Sequence, residues 1–95
     1  MEYNFLKKEV YISRKHFIKK RIIKLGKCEN IFFATMWFSK EHKAPYKELY
    51  KRVYGYNVLD KSLLRNMARI LRDKGIELVC ISNYGYKLKK TYWKK

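Results

Sequence analysis

One proline and four glycines supply nearly all the punctuation of this chain, and their spacing limits what it can build. Pro45 together with Gly26, Gly55, Gly75 and Gly85 cuts 95 residues into pieces the size of single helices or strands. No internal repeat or low-complexity linker interrupts them. A chain of this length has room for one domain, and a hydrophobic fraction of 47% with 17% aromatic residues can fill its core without a metal or disulfide. The expectation is a single α+β domain in three parts: an N-terminal β segment over 1–24, a helical core closed by a hairpin over 25–89, and a basic tail over 90–95.

Before Gly26, the runs Val10-Tyr11-Ile12 and Phe17-Ile18 to Ile22-Ile23 alternate with basic residues, which fits a strand pair or meander with one solvated face; residues 19–25 read equally as a helical turn. Over 28–41, Ile31, Phe32, Ala34, Thr35 and Phe38 recur at three- and four-residue spacing, and Glu29 with Asn30 favours a helix start. After the break at Lys43-Ala44-Pro45, Leu49 and Val53, with Tyr46 and Tyr50, mark one face of a second, short helix that Gly55 ends. Asp60 reads as the N-cap of a third helix closed by Gly75. Leu63, Leu64, Met67, Ala68, Ile70 and Leu71 fall on one side of it and Lys61, Ser62, Arg65, Asn66, Arg69 and Arg72 on the other. Residues 76–81 and 86–89 then read as two strands around Ser82-Asn83-Tyr84-Gly85, with Asn and Gly where positive φ is easiest. Phe32, Phe33, Trp37 and Phe38 are assigned to the core, as large aromatics usually are. On the last strand Tyr86 is assigned to the core and Tyr84 to the exposed tip, because neighbours on a strand point to opposite faces.

Charge narrows the partners. Twenty-four Lys and Arg against eight Asp and Glu give a net charge of +16, concentrated in residues 1–25 and 59–95. Such an excess repels itself in the folded state and attracts polyanions, with nucleic acid first, an anionic membrane surface second and an acidic protein third. Cys28 and Cys80 lie far apart, His16 and His42 have no carboxylate or cysteine at useful spacing, and the few carboxylates do not cluster. Neither a metal site nor a cofactor nor a catalytic constellation is expected. The longest apolar stretch, about 31–38, is far too short to span a bilayer, and the first residues lack a signal peptide's apolar run, so a cytoplasmic, reduced setting is expected.

Helix, helix, helix, hairpin is the order of a winged helix, in which the third helix enters the major groove of duplex DNA and the hairpin reaches the neighbouring backbone or minor groove. A polar helix face is ordinarily just solvated. Here Lys61, Arg65, Arg69 and Arg72 advance along it at three- or four-residue intervals in company with Ser62 and Asn66, and the global charge shifts the reading toward contact: guanidinium forks for guanine edges or phosphates, Asn for adenine.

The segments Leu25-Gly26-Lys27-Cys28-Glu29, Lys47-Glu48-Leu49-Tyr50-Lys51-Arg52-Val53-Tyr54-Gly55, Ser62-Leu63 through Leu71-Arg72-Asp73-Lys74, and Ile81-Ser82-Asn83-Tyr84-Gly85-Tyr86-Lys87-Leu88 resemble the OmpR/PhoB-type winged-helix effector domains of bacterial response regulators. The resemblance covers about 25–89. It implies an N-terminal sheet before the first helix, binding to DNA as tandem or symmetric pairs, base or phosphate contacts from Arg65, Asn66 and Arg69, a backbone contact from Lys47, and Asn83, Tyr84 and Lys87 on the wing. The chain departs from the family in three respects. It leaves no room for a receiver domain, so phosphorylation-driven dimerisation is not implied. The loop over 56–59 is very short for a polymerase contact there. Asn83 stands in place of the first wing glycine, a change that Asn's tolerance of positive φ accommodates.

The leading expectation is a sequence-specific transcription regulator of duplex DNA, of a size that suits a phage or mobile element. A second is an interaction protein that docks on RNA polymerase or another DNA-bound factor, motivated by Tyr54, Tyr56 and Trp93. A third is an RNA- or ribosome-associated role, since tyrosines and basic residues also suit RNA stacking.

Overall fold

The computed structural model describes residues 2–12, 21–55 and 62–89; Lys61, the Asp60 cap, the 56–59 loop, His16, Phe17-Ile18, Tyr56, Trp93 and the basic tail lie outside them. Three helices and two small antiparallel sheets make an α+β domain with a C-terminal hairpin. The first sheet is a meander of β1 (Glu2–Asn4), β2 (Glu9–Ile12) and β3 (Arg21–Lys24). Its register sets Tyr3 opposite Val10 and Val10 opposite Ile23, so alternation turns these three inward while Glu9 and Tyr11 share the outer face. Of the two readings open for 19–25, the strand is the one found over Arg21–Lys24.

Helix α1 (Lys27–Trp37) begins at Gly26, whose N–H donates to the Glu29 carboxylate at 3.0 Å, the half of a capping box that a glycine N-cap allows. The helix stops at Phe38, short of the expected Glu41, and a single 3₁₀ turn (Lys40–His42) follows with Glu41 and His42 at positive φ. Its core face also differs from expectation. Phe32, Phe33 and Met36 are fully buried and Trp37 half-buried, whereas Phe38, assigned to the core from sequence, is 70% exposed. Of the expected stripe, Phe32, Ala34 and Thr35 are buried and Ile31 half-buried, while Phe33 and Met36 join them in place of Phe38.

The supposed break before Pro45 is a strand, β4 (Lys43–Pro45), paired with β6 (Gly85–Leu88), which pairs in turn with β5 (Leu78–Ile81). Gly85 is needed for this closeness, not for a positive φ: a Cβ there would lie 1.9 Å from the Ala44 carbonyl oxygen. Asn83 does adopt positive φ, at 60°. Helix α2 (Tyr46–Tyr54) starts after Pro45 and ends at Gly55 in the left-handed region.

Helix α3 (Ser62–Asp73) closes with a Schellman motif, Ile76 N–H to Leu71 C=O and Gly75 N–H to Arg72 C=O, with Gly75 at φ 106°. Leu64, Ala68 and Leu71, one turn apart, are fully buried; Met67 packs beside them, Ile70 is half-buried and Leu63 turns largely outward. Leu64, Ala68 and Leu71 join Val10, Ile23, Phe32, Leu49, Leu78, Tyr86 and Leu88 in one continuous core. Removing each buried leucine of α3 from water contributes about 2 kcal/mol. The Lys74 ammonium, just past α3, ties that helix to the end of β3 and the first turn of α1, donating to the Lys24 carbonyl at 3.0 Å and to the Glu29 carboxylate. Among the described residues no helix is long and apolar enough to cross a membrane.

Candidate nucleic-acid interface

With its apolar stripe sealed into the core, α3 has its other side in solvent. Ser62, Arg65, Asn66, Arg69 and Arg72 are all exposed. Their surroundings differ. Arg69 donates to the Asn66 side-chain oxygen at 3.1 Å, so the two act as one hydrogen-bonding unit on the outermost line of the helix. Arg72 leans the other way and donates to the Leu78 carbonyl at 3.3 Å, binding the helix to the hairpin. Arg65 sits on the same flank as Arg72, near enough to the phenols of Tyr46 and Tyr86 for its charge to favour their ionised forms. Ion pairs among the described residues join Glu41 to Lys43, Glu48 to Arg52, Glu29 to Lys74 and Glu77 to Lys89. Among the described residues, no carboxylate pairs with Arg65, Arg69 or Arg72.

The hairpin turn meets the start of α2 beside this face through Tyr46. Its backbone N–H donates to the Tyr84 carbonyl at 2.8 Å, its hydroxyl lies 3.3 Å from Cys80 Sγ, and its ring meets Tyr86 edge-on at 5.7 Å between centroids. The hydrogen bond with Cys80, then burial, pushes the Tyr46 hydroxyl up to about 12, so it stays protonated at any physiological pH. Tyr46 thereby ties the start of α2, where Lys47 is exposed, to the Asn83-Tyr84 turn. Tyr46 appears in the sequence only as an apolar-face residue of α2; its role as a joint depends on the β4–β6 pairing, which leaves no periodic signal.

Tyr84 is not the bare tip that strand alternation suggests. It is half-buried, with the Lys43 ammonium 5.3 Å from its ring centroid. Asn83 is exposed at the turn itself, and Lys87 is half-buried on β6 across from Lys43 and Val79. Lys43, missed in the sequence because its strand was read as a break, adds a cation on this side. Its pairing with Glu41 holds that carboxyl below its ordinary value, with Lys87 adding to the effect.

Lys61 lies outside the described residues. Among those described, no group of three or more His, Cys, Asp or Glu comes together as a metal site. No protein-family model, no curated protein and no solved structure matches the chain.

Proposed function

We propose that the chain is a winged-helix DNA-binding domain of the kind its sequence resembles, the OmpR/PhoB type, and that it acts as a transcription regulator without catalytic chemistry of its own. One observation carries this reading: α3 buries Leu64, Ala68 and Leu71 and leaves Arg65, Asn66 and Arg69 in solvent with no described carboxylate to neutralise them. A helix of this size fits the major groove of B-form DNA, about 12 Å wide, where guanidinium and amide groups meet base edges. The deep, narrow major groove of A-form RNA does not admit such a helix, which favours DNA over the RNA-associated reading. The order of three helices and a hairpin, and the meander ahead of them, agree with the resemblance. In this reading Ser62, Asn66 and Arg69 face bases, Arg65, Lys47 and Lys61 face phosphates, Asn83, Tyr84 and Lys87 approach the flanking backbone from the wing, and Arg72 contributes charge while bracing the hairpin. Pairing of two copies on DNA and a contact with RNA polymerase are further expectations of the resemblance.

Fluorescence anisotropy with a labelled duplex tests the proposal. At about 50 mM salt the protein binds, and if about six phosphates are neutralised, log affinity falls against log salt with a slope of about −5. Absence of duplex binding at that salt ends the idea, and preference for structured RNA in competition replaces it with the RNA reading.

A further inference from the structure

One edge of the expected core face of α1 also lines an open groove. Ile31, Ala34, Thr35 and Phe38 follow the i, i+3, i+4, i+7 pattern of a helical contact stripe; Ala34 and Thr35 lie buried at its middle, Ile31 is half-buried and Phe38 is exposed at its end. Phe5, from the turn between β1 and β2, forms one wall, and Glu48 with Arg52, on α2, the other; the space enclosed is about 560 Å³. The hydroxyls along the floor do not make it polar. Thr35 Oγ1 donates to the Ile31 carbonyl at 2.7 Å and Ser39 Oγ to the Thr35 carbonyl, so both are satisfied within the helix.

The wall is built, not frayed. Buried Asn30 accepts a hydrogen bond from Tyr3 and donates through Nδ2 to the Phe5 carbonyl at 3.2 Å, while Asn4 Oδ1 accepts from the Lys7 N–H at 3.0 Å. A fixed turn thus presents Phe5, 46% exposed, and Leu6, 89% exposed, where solvated turns ordinarily carry polar residues.

We infer that this groove receives an acidic amphipathic helix of a protein partner, bound separately from DNA. Charge decides the class of occupant. The charged pair of the lining, Glu48 and Arg52, balances itself, while exposed Lys7 and Lys8 follow Phe5 and Leu6 in the chain and exposed Lys40 follows Ser39, so the charged rim next to the lining is cationic. A second copy in a two-fold contact would bring that rim against itself, on a chain already at +16. A helix carrying apolar anchors at the same i, i+3, i+4, i+7 spacing and carboxylates on its flanks complements both features.

Selection of random 16-residue peptides on the immobilised full chain tests the inference, followed by affinity measurement of a selected peptide on wild type and on the double variant Leu6→Ser, Phe38→Ser. The expected result is enrichment of net-acidic peptides with helically spaced apolar anchors and at least a tenfold weaker affinity for the variant. Both changes are at exposed positions, so circular dichroism and duplex DNA binding stay as in wild type; this separates failure here from failure of the DNA-binding proposal. Peptides without acidic residues or anchors, equal affinity for the variant, groove-dependent self-association in sedimentation, or groove-dependent binding to anionic phosphatidylserine vesicles each overturn the inference.

Discussion

Helices α1 and α3 both carry apolar residues at helical spacing, yet only one of them can be oriented from that spacing. On α3 a single apolar stripe faces a line of Arg, Asn and Ser, and only one orientation removes the leucines from water without burying guanidinium groups. On α1 apolar residues lie on several sides, and spacing alone does not say that Phe33 and Met36 are buried while Phe38 stays exposed. Charge, more than hydrophobicity, tells a helix which way to face.

The sharpest test of that contrast lies within α1 itself. Truncating fully buried Phe32 to Ala costs about 4 kcal/mol of unfolding free energy, while the same change at Phe38 alters it by less than about 0.5 kcal/mol, as chemical denaturation will show. Equal losses at the two positions would mean that the groove is closed in solution. On α3 the parallel pair is Leu71→Ala, with a loss of about 3 kcal/mol, against Arg69→Ala, within about 0.5 kcal/mol of wild type. A large stability loss for Arg69→Ala would place its side chain in the core economy of the fold and not in an open face.

A smaller effect concerns the bond that joins the two helices. Burial by itself would raise the Glu29 carboxyl, but hydrogen bonds from Lys74 and from the Gly26 N–H, together with the Lys74 charge, outweigh it and hold the group below its ordinary value of 4.5. A carboxyl whose folded value is lowered adds stability that is complete above its unfolded value and fades as pH falls through the folded one. Glu29→Gln keeps the cap at the third helical position and removes only the charge. The variant is therefore less stable by about 1 kcal/mol at pH 7 and shows a shallower stability loss than wild type below about pH 5, by thermal unfolding across pH. Identical acid profiles would mean that the Lys74–Glu29 pair contributes nothing.

What could be read in advance follows the same logic. The span and facing of α3, the end of α2 at Gly55 and the positive φ of Asn83 each rest on a local signal: a two-faced period, a glycine stop, an Asn in a turn. β4 gave none, because Lys43-Ala44-Pro45 has no strand pattern of its own and exists as a strand only through its partner β6. The close approach that requires Gly85, the joint at Tyr46 and the covering of Tyr84 by Lys43 all descend from that one non-local pairing, and so escaped with it. Of the candidate site, the exposed arginines were legible as a basic stripe; that Arg72 leans on the hairpin, apart from Arg69 and Asn66, depends on where β5 lies.

The central claim is that the outward side of α3 holds the phosphates and bases of duplex DNA. Salt titrations of duplex binding by wild type and by the double variant Arg65→Ala, Arg69→Ala test it directly. If both side chains contact phosphates, the slope of log affinity against log salt becomes shallower by about 2, close to 0.9 for each contact removed, with helix content unchanged. A double variant that keeps both the affinity and the slope of wild type would contradict the account.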